Sequence, residues 1–68
     1  MEVYRHYKGG IYNVIGMGKH SETQEEIVIY EDTDNRLWVR PLKMFFEEIE
    51  VNGQKVERFQ HLGNFIRN

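Results

Sequence analysis

Apolar positions come in short runs separated by turn-forming clusters, a rhythm of strands and turns with little room for helix. Ile11, Tyr12, Val14 and Ile15 follow the Gly9-Gly10 pair and predict a first strand, because β-branched and aromatic side chains suit a pleated surface. Gly16 and Gly18 flank Met17 and predict a bend or bulge leading into a loop from Lys19 to Glu25. Ile27 to Tyr30 reads as the second strand. Asp32, Thr33, Asp34 and Asn35 form a hairpin tip before a third strand, Leu37 to Arg40, and Pro41 removes a ladder donor and ends it.

Asn52-Gly53 lies between two alternating runs and predicts a two-residue type I′ hairpin. With Val51 and Gln54 flanking the turn, Glu50 faces Lys55, Ile49 faces Val56 and Glu47 faces Arg58. Phe46 and Phe59 fall on the face opposite Ile49, Val51 and Val56. A distortion near residues 42–46, one helical turn, would swing a phenylalanine inward. Leu62, Phe65 and Ile66 have helix-like spacing and suit either a lid on an open barrel end or a self-association surface. The elements total five short strands and one brief helical turn in a single domain over residues 1–68. This is an all-β class, for which a small, strongly bent Src-homology-3-like barrel is the economical architecture.

Sixty-eight residues bury only about 60 % of the surface of the unfolded chain. A deep catalytic cavity would consume much of that core. There is no cysteine, so neither a disulfide nor a thiolate metal knot reinforces it, and a cytoplasmic location is the default expectation. No window has the run of apolar residues that a membrane span needs. The first twenty residues carry Arg5, His6, Lys8 and Lys19 without an apolar stretch, against a secretory signal. A net charge of −2 offers no global attraction to a phosphate backbone, which disfavours nucleic acid as a partner.

Two clusters hold the candidate chemistry. His20-Ser21-Glu22-Thr23 places an imidazole, two hydroxyls and a carboxylate ahead of the second strand, and Trp38-Val39-Arg40-Pro41 closes the third. Neighbours on an extended chain point to opposite sides, so His20, Ser21 and Glu22 make a poor triad. The plainer reading of the loop is that Ser21 or Thr23 bonds backbone amides and Glu22 or Glu25 accepts further amide bonds. His20 and Glu22 are two ligands where zinc takes three or four, so no metal site and no cofactor is expected. If Leu37 and Val39 face the core, Trp38 and Arg40 share the other face. The opposite register buries Trp38 and pairs Arg40 with Glu22 or Glu31.

The series YKGG-Y-V at Tyr7 to Val14, HSET at 20–23, a strand ending in Tyr30, LWVRP at 37–41, MF at 44–45 and G-x-x-V-x-RF from Gly53 to Phe59 resembles a family of small bacterial and phage domains of unknown function. The resemblance spans most of residues 7–59 and implies a Src-homology-3-like barrel and no particular activity. Gln24 stands where that pattern has a glycine or similar residue, and the Asp32 to Arg36 connection is shorter than usual.

The function expected on these grounds is a non-catalytic binding module, a monomer or weak homodimer. Its groove, formed by His20, Ser21, Glu22, Thr23, Tyr30, Trp38 and Arg40, would receive a peptide segment or a small anionic ligand. The alternative from another class is a small hydrolase or transferase with His20 as general base and Arg40 steadying negative charge. A nucleic-acid-binding barrel is a third reading and needs Arg5, Lys8, Lys19, Arg40 and Lys43 on one face. In the preferred reading His20, Glu22, Trp38 and Arg40 converge at one rim, with a bidentate contact between Glu22 and Arg40.

Overall fold

The alternation resolves into seven strands and one turn of helix in the computed structural model, which describes residues 2–64. In chain order these are β1 (Glu2–His6), β2 (Ile11–Lys19), β3 (Glu26–Glu31), β4 (Leu37–Pro41), α1 (Leu42–Phe45), β5 (Glu48–Val51), β6 (Gln54–Glu57) and β7 (Phe59–Asn64). They form two antiparallel sheets, a five-stranded one in the order β4-β3-β2-β1-β7 and the two-stranded hairpin β5-β6. The all-β class is as expected, with two strands more than the alternation alone marks out.

The additional strands are β1 and β7, which pair with each other. β1 mixes Glu2, Arg5 and His6 with Val3 and Tyr4, and β7 has no β-branched residue, so local preference marks neither as strand. Leu62 lies within β7 rather than in a helix. Phe65 and Ile66, invoked with it in the sequence reading, lie outside the described residues. β2 runs on through both of its glycines. The expected bulge falls at Ile15, because the β2–β3 register passes from Val14 opposite Tyr30 to Gly16 opposite Ile29.

β4 ends at Pro41 as expected, with the proline itself as the last residue of the strand. The Asp32 N–H bonds to the Arg36 carbonyl at 3.0 Å. From that bond the antiparallel alternation gives the ladder bonds to Trp38 and Arg40, opposite Tyr30 and Val28, and turns the backbone of Leu37, Val39 and Pro41 outward. The donor that proline lacks is therefore one that would face the open side of an edge strand.

The core is aromatic. Val28, Tyr30, Phe45 and Phe59 are buried, with Tyr4, Tyr12, Val14 and Leu42 packed against them. Phe45 and Phe59 stack face to face at 4.1 Å between centroids, and Tyr30 presents its edge to both at 5.4 and 5.5 Å. α1 performs the inward swing expected near residues 42–46: a single turn starting after Pro41 buries Phe45 and leaves Phe46 49 % exposed at the rim. The β5-β6 hairpin has the expected register, including Glu50 opposite Lys55 and Ile49 opposite Val56. Asn52 and Gly53 have φ of 52° and 80°, as a type I′ turn requires. Two pairs beyond Ile49 and Val56, the Arg58 N–H bonds to the Glu47 carbonyl at 3.1 Å and the two side chains form an ion pair at 2.5 Å.

Candidate functional site

The HSET loop joins β2 to β3 and its polar groups are used in making the turn. His20 Nδ1 accepts the backbone N–H groups of Glu22 and Thr23 at 3.1 and 3.3 Å, and Thr23 Oγ1 accepts that of Glu25 at 3.2 Å. The backbone closes from His20 N–H to the Glu25 carbonyl at 2.8 Å and from Gln24 N–H to the His20 carbonyl at 2.9 Å. An Nδ1 that accepts leaves the ring proton of the neutral imidazole on Nε2. Ser21 and Glu22 are exposed, and among the described residues Glu22 makes no ion pair with Arg40.

Trp38 and Arg40 also lie differently from the first reading of their strand. Opposite Tyr30 and Val28, both of which are buried, they share the core-side face, while Leu37 and Val39 look outward. Periodicity could not choose between these registers, because both faces of LWVR carry apolar surface. Trp38 donates its indole N–H to Asp32 at 3.0 Å, and the Arg36 guanidinium lies 5.9 Å from its ring centre. Trp38 thus belongs to the β3–β4 turn, whose tip Asp32 also holds by accepting the N–H groups of Asp34 and Arg36.

Arg40 stands apart from these turns. Its Nε donates to Tyr30 Oη at 3.3 Å, and its guanidinium carbon lies 5.7 Å from the centre of the Phe59 ring. It is partly buried, and among the described residues no carboxylate is within ion-pair distance of it. Beside it, His6 packs edge-on against Phe59 at 4.8 Å and against Tyr12 at 6.3 Å. Burial pushes the His6 imidazole below its ordinary value, and the charges of Arg40, Arg58 and Lys8 push it further the same way. His6 Nδ1 accepts the Lys8 N–H at 3.2 Å. Arg58 is neutralised in part by Glu47, yet its Nε is buried with no hydrogen-bond partner among the described residues. Three cations thus act on an imidazole that packs against Tyr12 and Phe59, and one of them, Arg40, also meets Tyr30 and Phe59. Sequence reasoning placed Arg40 and Tyr30 in the groove, paired Arg58 only with Glu47, set Lys8 beside Arg40 only in the nucleic-acid reading, and did not bring His6 to this site, because β1 was not marked as a strand. The one available signal was that His6, Lys8 and Arg58 each sit beside an aromatic residue.

His6 also borders a groove of about 470 Å³ between the end of β1 and the β5-β6 hairpin. Tyr7, Val51 and Val56 supply its apolar wall, and Arg5, Lys55 and Glu57 supply charge of both signs. Among the described residues no three His, Asp or Glu side chains converge to hold a metal ion, and no helix is long and apolar enough to cross a membrane.

Fold and rim define a small antiparallel β domain with a cationic, aromatic-lined edge beside an open groove. The chain belongs to the family described as "Protein of unknown function (DUF1653)", whose model matches residues 2–61. It is similar to the crystal structure of a protein of that family from Bordetella bronchiseptica, with a TM-score of 0.82 and 30 % sequence identity over 97 % of this chain and 90 % of that one. No curated protein matches it.

Proposed function

We propose that this domain is a non-catalytic binding module that captures the anionic group of a small ligand or a peptide segment at Arg40. The carrying observation is a partly buried guanidinium with no carboxylate within ion-pair distance among the described residues, in the company of two more cations and an imidazole. Burying an unpaired charge is costly, and like charges gathered at one rim raise that cost until a counter-charge arrives. Arginine suits planar, bidentate contact with a carboxylate or phosphate, and with Nε engaged by Tyr30 its two terminal nitrogens face the ligand. Tyr30 accepts from Arg40 and so keeps its own hydroxyl proton to donate. The groove beside His6 has room for the remainder of a peptide. In the same reading the five-stranded sheet, bent by register shifts at Val3/Tyr4 and Val14/Gly16, wraps the aromatic core as a Src-homology-3-like barrel. The general-base reading of His20 has no comparable support, since that ring caps an exposed turn.

The test is titration of the isotope-labelled protein with inorganic phosphate and with acetate. Saturable shifts should centre on the Arg40 Nε–H, Tyr30 and His6. Arg40→Ala should abolish them, and Arg40→Lys, which keeps the charge but loses the fork, should weaken them with the fold intact. Identical titrations of Arg40→Ala and the unaltered protein would refute the reading.

A further inference from the structure

β4 is an outer strand of the five-stranded sheet, and the devices that keep such edges apart are confined to its last two residues, Arg40 and Pro41, leaving Leu37 to Val39 without them. Leu37, Trp38 and Val39 are 65 %, 47 % and 60 % exposed, the β3–β4 register has no bulge, and Arg40 is the strand's one charge. The ladder phase derived above points the N–H and C=O groups of Leu37 and Val39, and the carbonyl of Pro41, to the open side.

We infer that this edge binds a second copy of the chain, β4 antiparallel to the partner's β4 about a two-fold axis through Val39. The sequence Leu37-Trp38-Val39-Arg40-Pro41 is complementary to itself in that register. Val39 exchanges both backbone bonds with the partner's Val39. The Leu37 N–H bonds to the partner's Pro41 carbonyl, and the symmetric bond forms across the axis, so the missing proline donor leaves only the Leu37 carbonyl without a strand partner. Trp38 comes opposite the partner's Arg40 in a non-hydrogen-bonded pair, the closer kind, which sets an indole beside a guanidinium. A register centred on Trp38 forms as many backbone bonds but opposes Arg40 to the partner's Arg36. On the outward face Leu37 and Val39 adjoin Ile29 and the bulged Ile15, so the axis joins two apolar strips into one. Arg40 figures both in this contact and in anion capture, but Val39, on which the contact is tested, takes no part in anion capture.

Sedimentation of the full chain from micromolar to millimolar concentration should show a monomer giving way to a dimer. Val39→Lys, which places two ammonium groups on the axis, should remain monomeric throughout while keeping the dilute protein's circular dichroism. A monomer at every concentration, or a dimer that survives Val39→Lys, overturns the inference. Should Val39→Lys fail to fold, amide exchange on the unaltered protein decides. The Leu37 and Val39 amides should slow severalfold as concentration rises, with those of β7 unchanged. Concentration-independent exchange at Leu37 and Val39, or slowing along β7 instead, overturns it equally.

Discussion

Trp38 and Asp32 are joined by a 3.0 Å hydrogen bond from indole to carboxylate, which ties β4 to the tip of the turn that precedes it. The same carboxylate receives the amides of Asp34 and Arg36 and the Arg36 guanidinium. The indole bond is the largest cause holding the Asp32 carboxyl down to about 2 from an ordinary 3.8; partial desolvation opposes it, and the amides and Arg36 reinforce it. The ionised form is therefore favoured by folding. Its contribution to stability is whole above 3.8 and drains away as the pH falls towards about 2. Thermal unfolding across that interval should show the loss, and Asp32→Asn should be less stable at neutral pH with a flatter acid limb. An unchanged acid limb in Asp32→Asn would rule out the turn's dependence on this carboxylate.

His6 behaves in the opposite sense. Its imidazole lies below the ordinary 6.5, through burial first and then through Arg40, Arg58 and Lys8, so the folded protein resists the proton that the unfolded chain accepts. Stability should be full above 6.5 and decline as the pH falls below it. A proton-resonance titration of His6 should give a midpoint below 6.5 that rises when phosphate is added. A midpoint that phosphate leaves in place would separate His6 from any anion bound at Arg40.

Phe45 and Phe46 are adjacent yet differ sharply in burial. Phe45→Ala removes one ring of the stacked pair and should cost about 3–5 kcal/mol, enough to unfold much of a domain this small. Phe46→Ala should cost a fraction of that. Urea denaturation of both variants checks the ordering, and equal losses would contradict the orientation of α1.

Backbone sign supplies a fourth expectation. Gly53 sits at φ 80° and Gln24 at φ 64°, both in the left-handed region. Gly53→Val should destabilise by at least about 1–2 kcal/mol, since a β-branched residue resists that region. Gln24→Gly should instead stabilise by up to about 1 kcal/mol, strain relief being offset by the freer unfolded chain and the lost contact to the Ser21 carbonyl. Melting temperatures moving the same way in both variants would contradict these turn geometries.

What the chain discloses before folding divides by sequence separation. The Asn52-Gly53 hairpin, the Asp32 to Asn35 tip and the inward Phe45 rest on contacts within a few residues, and local chemistry specifies them. β1 and β7 meet from opposite ends of the chain, so nothing near either announces the partner. The site follows the same division. Glu22 and Arg40 are a chemically sensible pair on paper, but the loop satisfies itself through His20 and Thr23, and Arg40 is drawn instead to Tyr30 and Phe59. His6 and Arg58 join Arg40 only because β1 lies against β7.

Arg58 is the joint between the two sheets. Its N–H reaches back to Glu47 in the hairpin, and its carbonyl receives the Tyr7 N–H from the end of β1. A segment hung from one such residue can change its length at the tip while the register of the main sheet stays fixed. The β5-β6 arm is thus where this architecture can absorb insertions, and lengthening it would deepen the wall of the groove beside His6 at little cost to the aromatic core.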